Sequence, residues 1–148
     1  MEKILEYSKT HHTVEPGKAL RMSDALSVGD GGSQGDLIIQ VVKHGSVPAG
    51  FRIVDNPTDQ DKQLVPGNTT GSRHYLESLD TCVILRPAKW NHDAPYDEYD
   101  GPLLHCKEDT TITHPTHGDV TIPGGMCVSL HYQRVYDEEL KRERRQLD

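Results

Sequence analysis

Apolar residues along this chain recur mainly at alternate positions, in short runs divided by Gly, Pro, Asn and Asp. That period-2 pattern predicts strands and turns. The strongest run is DLIIQVV (36–42), apolar at nearly every position, which predicts a central strand. HGSVPAG (44–50) is a turn-rich connection, and FRIVD (51–55) alternates as a second strand. NPTDQD interrupts it, and KQLV resumes it before Pro66-Gly67. RHYLES and TCVILRP predict a hairpin over 73–87, turning near Leu79-Asp80. An acidic surface loop is expected over 88–102. LLHC, TTITH, DVTI and CVSLHYQRVY supply further strands, the last being the longest extended candidate. Alternation points Leu37, Ile39, Val41, Phe51, Ile53, Val83, Leu85, Val120, Ile122, Val128 and Leu130 inward.

The two ends depart from this pattern. Residues 1–33 carry scattered apolar positions and then a Gly/Ser/Asp-rich stretch, which reads as an N-terminal arm and linker. Within it, SDAL can open a short helix with Ser23 as cap, cut off by Gly29. Such an arm is expected to be partly ordered in an isolated monomer and to pack on the core or on a neighbouring subunit. At the other end, YDEELKRERRQLD has no helix breaker. Asp137 can cap it, acidic residues precede basic ones, and Glu138 and Arg142 stand four apart. Leu140 and Leu147 form a thin apolar stripe, so a short surface helix is expected over 137–148. Between the ends, 34–136 is expected to form one mainly β domain, a small barrel or a compact β-sandwich.

Composition narrows the partners. With 34% hydrophobic residues, one Phe and one Trp, packing must rest on Tyr, Val, Ile and Leu. A core that sparse, beside a long arm, motivates the expectation of a homo-oligomer or docking into a larger protein assembly. The net charge of −7 and pI near 5.7 disfavour nucleic acid and anionic membrane as partners. The KRERR run then reads as a solvated helix end. No stretch approaches the length of a membrane span, and MEKILEYSKTHH has no secretory-signal pattern. Three cysteines, an odd count, do not suggest a disulfide framework, so a reducing cytoplasm is the expected compartment.

Nine histidines, at 11, 12, 44, 74, 92, 105, 114, 117 and 131, are the main candidate chemistry. His74, His114, His117 and His131 fall at strand ends or turns, and HPTHGDVTIPGG (114–125) holds two of them across a Pro-Thr turn. Zinc or another first-row transition metal needs three or four N, S or O donors converging from rigid elements. His114 and His117 form the best pair, with His74 as third ligand, His131 as alternate and water in the fourth position. No H-E-x-x-H, paired C-x-x-C or zinc-finger spacing is present. The competing reading is a plain turn, shaped by Thr113, Thr116 and Asp119, whose rings hydrogen-bond to backbone or water.

Other chemistries have less support. Cys82 and Cys127 sit in apolar strands, and Cys106 and its neighbour His105 point to opposite strand faces. VPGNTTGSRH (65–74) offers Thr70, Ser72 and Arg73 to an anionic small ligand, but without a phosphate-loop Lys. The carboxylates at 97–109 lie in exposed loops and match neither a glycosidase pair nor a calcium loop.

The blocks QGDLIIQVV (34–42), TGSRH (70–74), THPTHGDVTIPGG (113–125) and HYQRVYD (131–137) resemble an uncharacterised group of small bacterial and phage proteins. The resemblance covers roughly 34–137. It implies a Gln-Gly-Asp strand, a Thr-Gly-His-x-His segment, a His-x-x-His turn with a Pro-Gly corner, and a closing Gln-Arg-x-Tyr strand. Ser72 stands where that pattern has its first histidine, which removes one candidate ligand. With no complete catalytic set, the leading expectation is a non-enzymatic structural or interaction protein, such as a phage virion or accessory component. A virion location would replace the cytoplasmic one in that case. A metal-binding, cupin-like enzyme or small-ligand binder is second. A nucleotide-sequestering anti-defence or regulatory protein, using the Arg73 region, is third.

Overall fold

The computed structural model describes residues 11–13, 18–43, 45, 47–67, 72–88, 100–133 and 141. One sheet contains β1 (His11–Thr13), β3 (Gly31–Gln34), β4 (Leu37–Val42), β5 (Phe51–Ile53), β7 (Cys82–Pro87), β8 (Asp100–Cys106) and β11 (Cys127–Tyr132). Its order is β1-β3-β4-β11-β8-β7-β5. The second contains β2 (Ala19–Arg21), β6 (Tyr75–Leu76), β9 (Thr110–Thr113) and β10 (Asp119–Ile122), in the order β2-β10-β9-β6. A 3-10 turn, η1 (Asp59–Lys62), precedes the isolated bridge from Gln63 to Tyr75. Pairing is antiparallel throughout, except where β1 joins β3 and β2 joins β10.

The two sheets face one shared core. Leu37, Ile39, Val41, Val128 and Leu130 come from the larger sheet, and Leu76, Ile112, Val120 and Ile122 from the smaller. Each fully buried side chain of this size contributes about 1.5–3 kcal/mol, large against a total of about 5–15 kcal/mol for a domain. The shared core therefore dominates stability, and short edge pairings add to it. Tyr132 joins the core through its ring, and its hydroxyl donates to Leu64 O at 2.9 Å.

Arg86 ties η1 to this body. Its Nη1 donates to Asp61 Oδ1 at 2.6 Å, and its Nη2 donates to Asp61 O and Gln63 O, both at 2.8 Å. Burial pushes the guanidinium below its ordinary pKa, and the Asp61 carboxylate opposes that shift. Ion-pair geometry with several hydrogen bonds is what a buried cation requires.

Several expectations need correction. Among the described residues neither sheet closes on itself, so the barrel is excluded and a two-sheet β fold remains. Segments 73–78 and 82–87 do not form a hairpin: β6 pairs with β9 in one sheet, while β7 pairs with β5 and β8 in the other. The chain changes sheets between them. In β7 the residues facing the shared core are Cys82 and Ile84, not Val83 and Leu85; Leu85 is buried outside that cluster. Phe51 is half-buried and Ile53 is 51% exposed, because β5 is the sheet's last strand. SDAL makes a turn rather than a helix, with Ser23 Oγ accepting the Ala25 N–H at 3.1 Å. β8, with seven residues, is longer than the six-residue β11. Apart from Lys141, the helix expected over 137–148 lies outside the described residues. No helix among the described residues is long and apolar enough to cross a membrane.

Candidate functional site

Three of the four singled-out histidines meet at one end of the fold. His74 lies just before β6, His114 just after β9, and His117 just before β10. Ring centroids are 4.5 Å apart for His74 and His114, 4.4 Å for His114 and His117, and 6.4 Å for His74 and His117. His74 is 1% exposed and His114 5%, while His117 is half-buried.

A fourth residue organises them. Gln34 ends β3 on the core face, in the same cross-strand row as Leu37 and Tyr132. It is fully buried. Its Nε2 donates to Ile112 O at 2.9 Å and to Gly118 O, so its Oε1 must be the group facing His74 Nδ1, at 2.8 Å. An amide oxygen can only accept, which places the His74 proton on Nδ1 and leaves Nε2 with a lone pair in the neutral ring.

His114 carries the opposite tautomer. Its Nδ1 accepts the backbone N–H groups of Thr116 and His117, each at 3.1 Å, and lies 3.2 Å from Thr116 Oγ1. The ring thus closes the Pro115-Thr116 turn on itself, as an Asn side chain would. Two donors at Nδ1 leave the proton of the neutral ring to Nε2, which is buried. Pro115 favours extended backbone at His114 and so aims the ring back over the turn. The His117 ring lies over Gly35, whose φ is +57°, and a Cβ there would collide with that ring. The Gln-Gly pair therefore serves the cluster twice, once through an amide and once through a missing side chain.

The other candidates lie elsewhere. His131 pairs across β11 with Ile38 of β4, one residue out of phase with the row that carries Gln34. It occupies the opposite sheet face, where its Nε2 lies 2.8 Å from Ser129 Oγ. Ser72 is buried and its hydroxyl donates to Pro66 O at 3.0 Å, within its own loop; Arg73 is exposed. Thr70 lies outside the described residues. Cys82 and Cys106 are cross-strand partners, and burial pushes their thiols up to about 11 and about 12. That is the environment of an inert thiol rather than a nucleophile. Among the described residues, no group of three or more His, Cys, Asp or Glu is placed to hold a metal ion. The His114 hydrogen bonds bear on this: in the neutral ring its buried Nε2 carries the proton, and a ligand nitrogen must be unprotonated.

Sequence reasoning missed Gln34 as a site residue. The available signal was a polar side chain directly before a Gly, at the mouth of an apolar strand.

Residues 33–129 match the profile of a family described as a domain of unknown function (DUF8820). No curated protein and no solved structure matches the chain.

Proposed function

The chain belongs to the DUF8820 family, and we propose that it is a non-enzymatic interaction protein that assembles with further copies through its N-terminal arm. One observation carries this reading. The family span starts at residue 33, within β3, whereas β1 and β2 precede it and supply an edge strand to each of the two sheets. An open sheet edge is a template for pairing with another chain. A strand-bearing segment ahead of the domain can cover such edges in its own copy or in a neighbour, which is how arms build oligomers. Light scattering of the full-length chain over a concentration series tests it. A mass that is a multiple of 16.6 kDa is expected, falling to one chain when residues 1–18 are deleted. The mass of a single chain at every concentration sinks the proposal.

A second reading has a specific observation in its favour. Gln34 holds the His74 proton at Nδ1, the second-sphere arrangement that fixes the tautomer and ring orientation of a metal-binding histidine. A transition metal would then be held by His74 and His117, with His114 retained in its turn. Elemental analysis of protein purified without a histidine tag decides it: one equivalent of zinc, copper or nickel supports this reading, and a trace amount removes it.

A further inference from the structure

We propose that Cys82 and Cys106 form a redox-modification site, at which a small two-electron oxidant of the peroxide class joins the two sulfurs in a disulfide across β7 and β8. Cys82 and Cys106 are direct Cα partners in the antiparallel β7–β8 ladder. Hydrogen-bonded and non-hydrogen-bonded pairs alternate along such a ladder. This pair is of the second kind. Cys106 N donates to Met126 O at 3.0 Å and Cys106 O accepts from Gly125 N at 2.7 Å, so both of its backbone groups turn away from β7. The flanking residues keep the same phase, with Lys107 N donating to Thr81 O at 2.8 Å. A non-hydrogen-bonded pair sets its Cα atoms about 4.5 Å apart, within the span of roughly 4.4–6.8 Å that a disulfide bridges.

The two side chains share a face and a neighbour. Directly opposed residues project to the same side of a sheet, and both cysteines belong to the shared core. The Thr110 hydroxyl lies within hydrogen-bonding reach of both thiols, which gathers the two sulfurs around one oxygen. Cys127 is no alternative partner for Cys106. It pairs with His105 of β8 and Val42 of β4, one step out of phase with Cys106, and adjacent strand residues point to opposite faces. Oxidation of the Cys82–Cys106 pair therefore leaves the ladder as it stands. In the first step peroxide oxidises one thiol to a sulfenic acid and a water leaves. The sulfur of the second thiol then attacks, the S–S bond forms as the S–O bond breaks, and a second water leaves. Two electrons pass from the sulfurs to the peroxide oxygens, and both thiol protons end in water. Burial keeps the two thiols protonated, which slows the first step and shuts out bulky disulfide reagents. A small uncharged oxidant is the class that fits. A dithiol reductant reverses the bond by exchange.

The test uses the reduced full-length chain, exposed to hydrogen peroxide in native buffer, then unfolded in guanidinium, alkylated and digested. Trypsin cuts after Lys89 and Lys107, which puts Cys82, Cys106 and Cys127 on three separate peptides. Mass spectrometry is expected to find the Cys82 and Cys106 peptides linked and Cys127 alkylated. Dithiothreitol should restore three alkylatable thiols. The oxidised protein should melt at a higher temperature than the reduced one, because the bond closes a loop over residues 82–106 in the unfolded chain. Cys127→Ser should form the same link, whereas Cys82→Ser and Cys106→Ser should form none within the chain. A link through Cys127, or a sulfinic acid on Cys82 or Cys106 in place of the link, overturns the assignment. Three free thiols after peroxide overturn it as well. Refolding from guanidinium in a glutathione redox couple then shows which part failed: a Cys82–Cys106 link formed there means that access to the folded site was at fault, and no link means that the geometry was.

Discussion

The amide oxygen of Gln34 accepts the Nδ1–H of His74 at 2.8 Å, joining residues 40 positions apart in the chain. Because the same amide donates to Ile112 O and Gly118 O, one side chain ties β3, the segment before β6, and both ends of the β9–β10 connection. A buried polar group that is fully satisfied specifies a unique packing, and one that loses its partners is costly.

Gln34→Glu keeps the shape and the acceptor but loses both donations to backbone carbonyls. The variant is expected to lose about 2–4 kcal/mol, the scale of two buried hydrogen bonds left with desolvated partners. Urea denaturation followed by circular dichroism measures it. An unchanged midpoint would contradict the role given to this side chain.

The tautomers of the two buried rings are expected to differ. Long-range 1H–15N spectra should show the proton of His74 on Nδ1 and that of His114 on Nε2. His114→Asn can still accept the Thr116 and His117 amides, whereas His114→Phe cannot. Asn should therefore retain more stability than Phe, by about 1–2 kcal/mol. The reverse order would mean that the ring's bulk matters and its Nδ1 does not.

Arg86→Ala leaves the Asp61 carboxylate, only 15% exposed, without its cation. A loss of about 3–5 kcal/mol is expected. The double variant Arg86→Met with Asp61→Leu should recover most of it, since the charge that needed a partner is gone. A double variant as unstable as Arg86→Ala would show that the cost lies in packing rather than charge.

Stability should also fall in alkali. Burial raises the folded-state values of Cys82 and Cys106 to about 11 and about 12, above the ordinary thiol near 9. The folded state thus holds on to these protons. The resulting stability is fully present below pH about 9 and is lost as pH rises through the folded values. Melting temperatures between pH 8 and 11 check the direction. At pH 8 the native protein should react slowly with Ellman's reagent, and all three cysteines should react in guanidinium; fast labelling of the native state would refute this.

Much of the larger sheet was legible in the sequence. Leu37, Ile39 and Val41 alternate as their burial does, whereas in β11 Val128 and Leu130 are buried together with Cys127 and Ser129. β7 was not legible to the same degree, because Ile84 and Leu85 are both buried and a run apolar on both faces carries no parity. His131 illustrates the sensitivity to parity: one step along β11 from Tyr132 transfers it to the far face. His74, His114 and His117 could be suspected from turn positions alone. Gln34 could not, since its three partners lie 40, 78 and 84 residues away. β1 and β2 were hidden for a related reason. Each is three residues long, and an edge strand that short is defined by what it joins rather than by its own pattern.

The β2–β10 pairing gives birth order a consequence. Ala19 pairs with Asp119 and Arg21 with Thr121, so a segment made early waits for a partner made late. At translation rates of about 5–20 residues per second that wait lasts roughly 5–20 s. Throughout it Leu20 and Met22, destined for the interior, have no finished surface to settle on. A nascent chain of this protein thus carries a sticky leading segment on the ribosome for seconds, and a holdase that grips Leu20 and Met22 and lets go once β10 emerges would fit that interval.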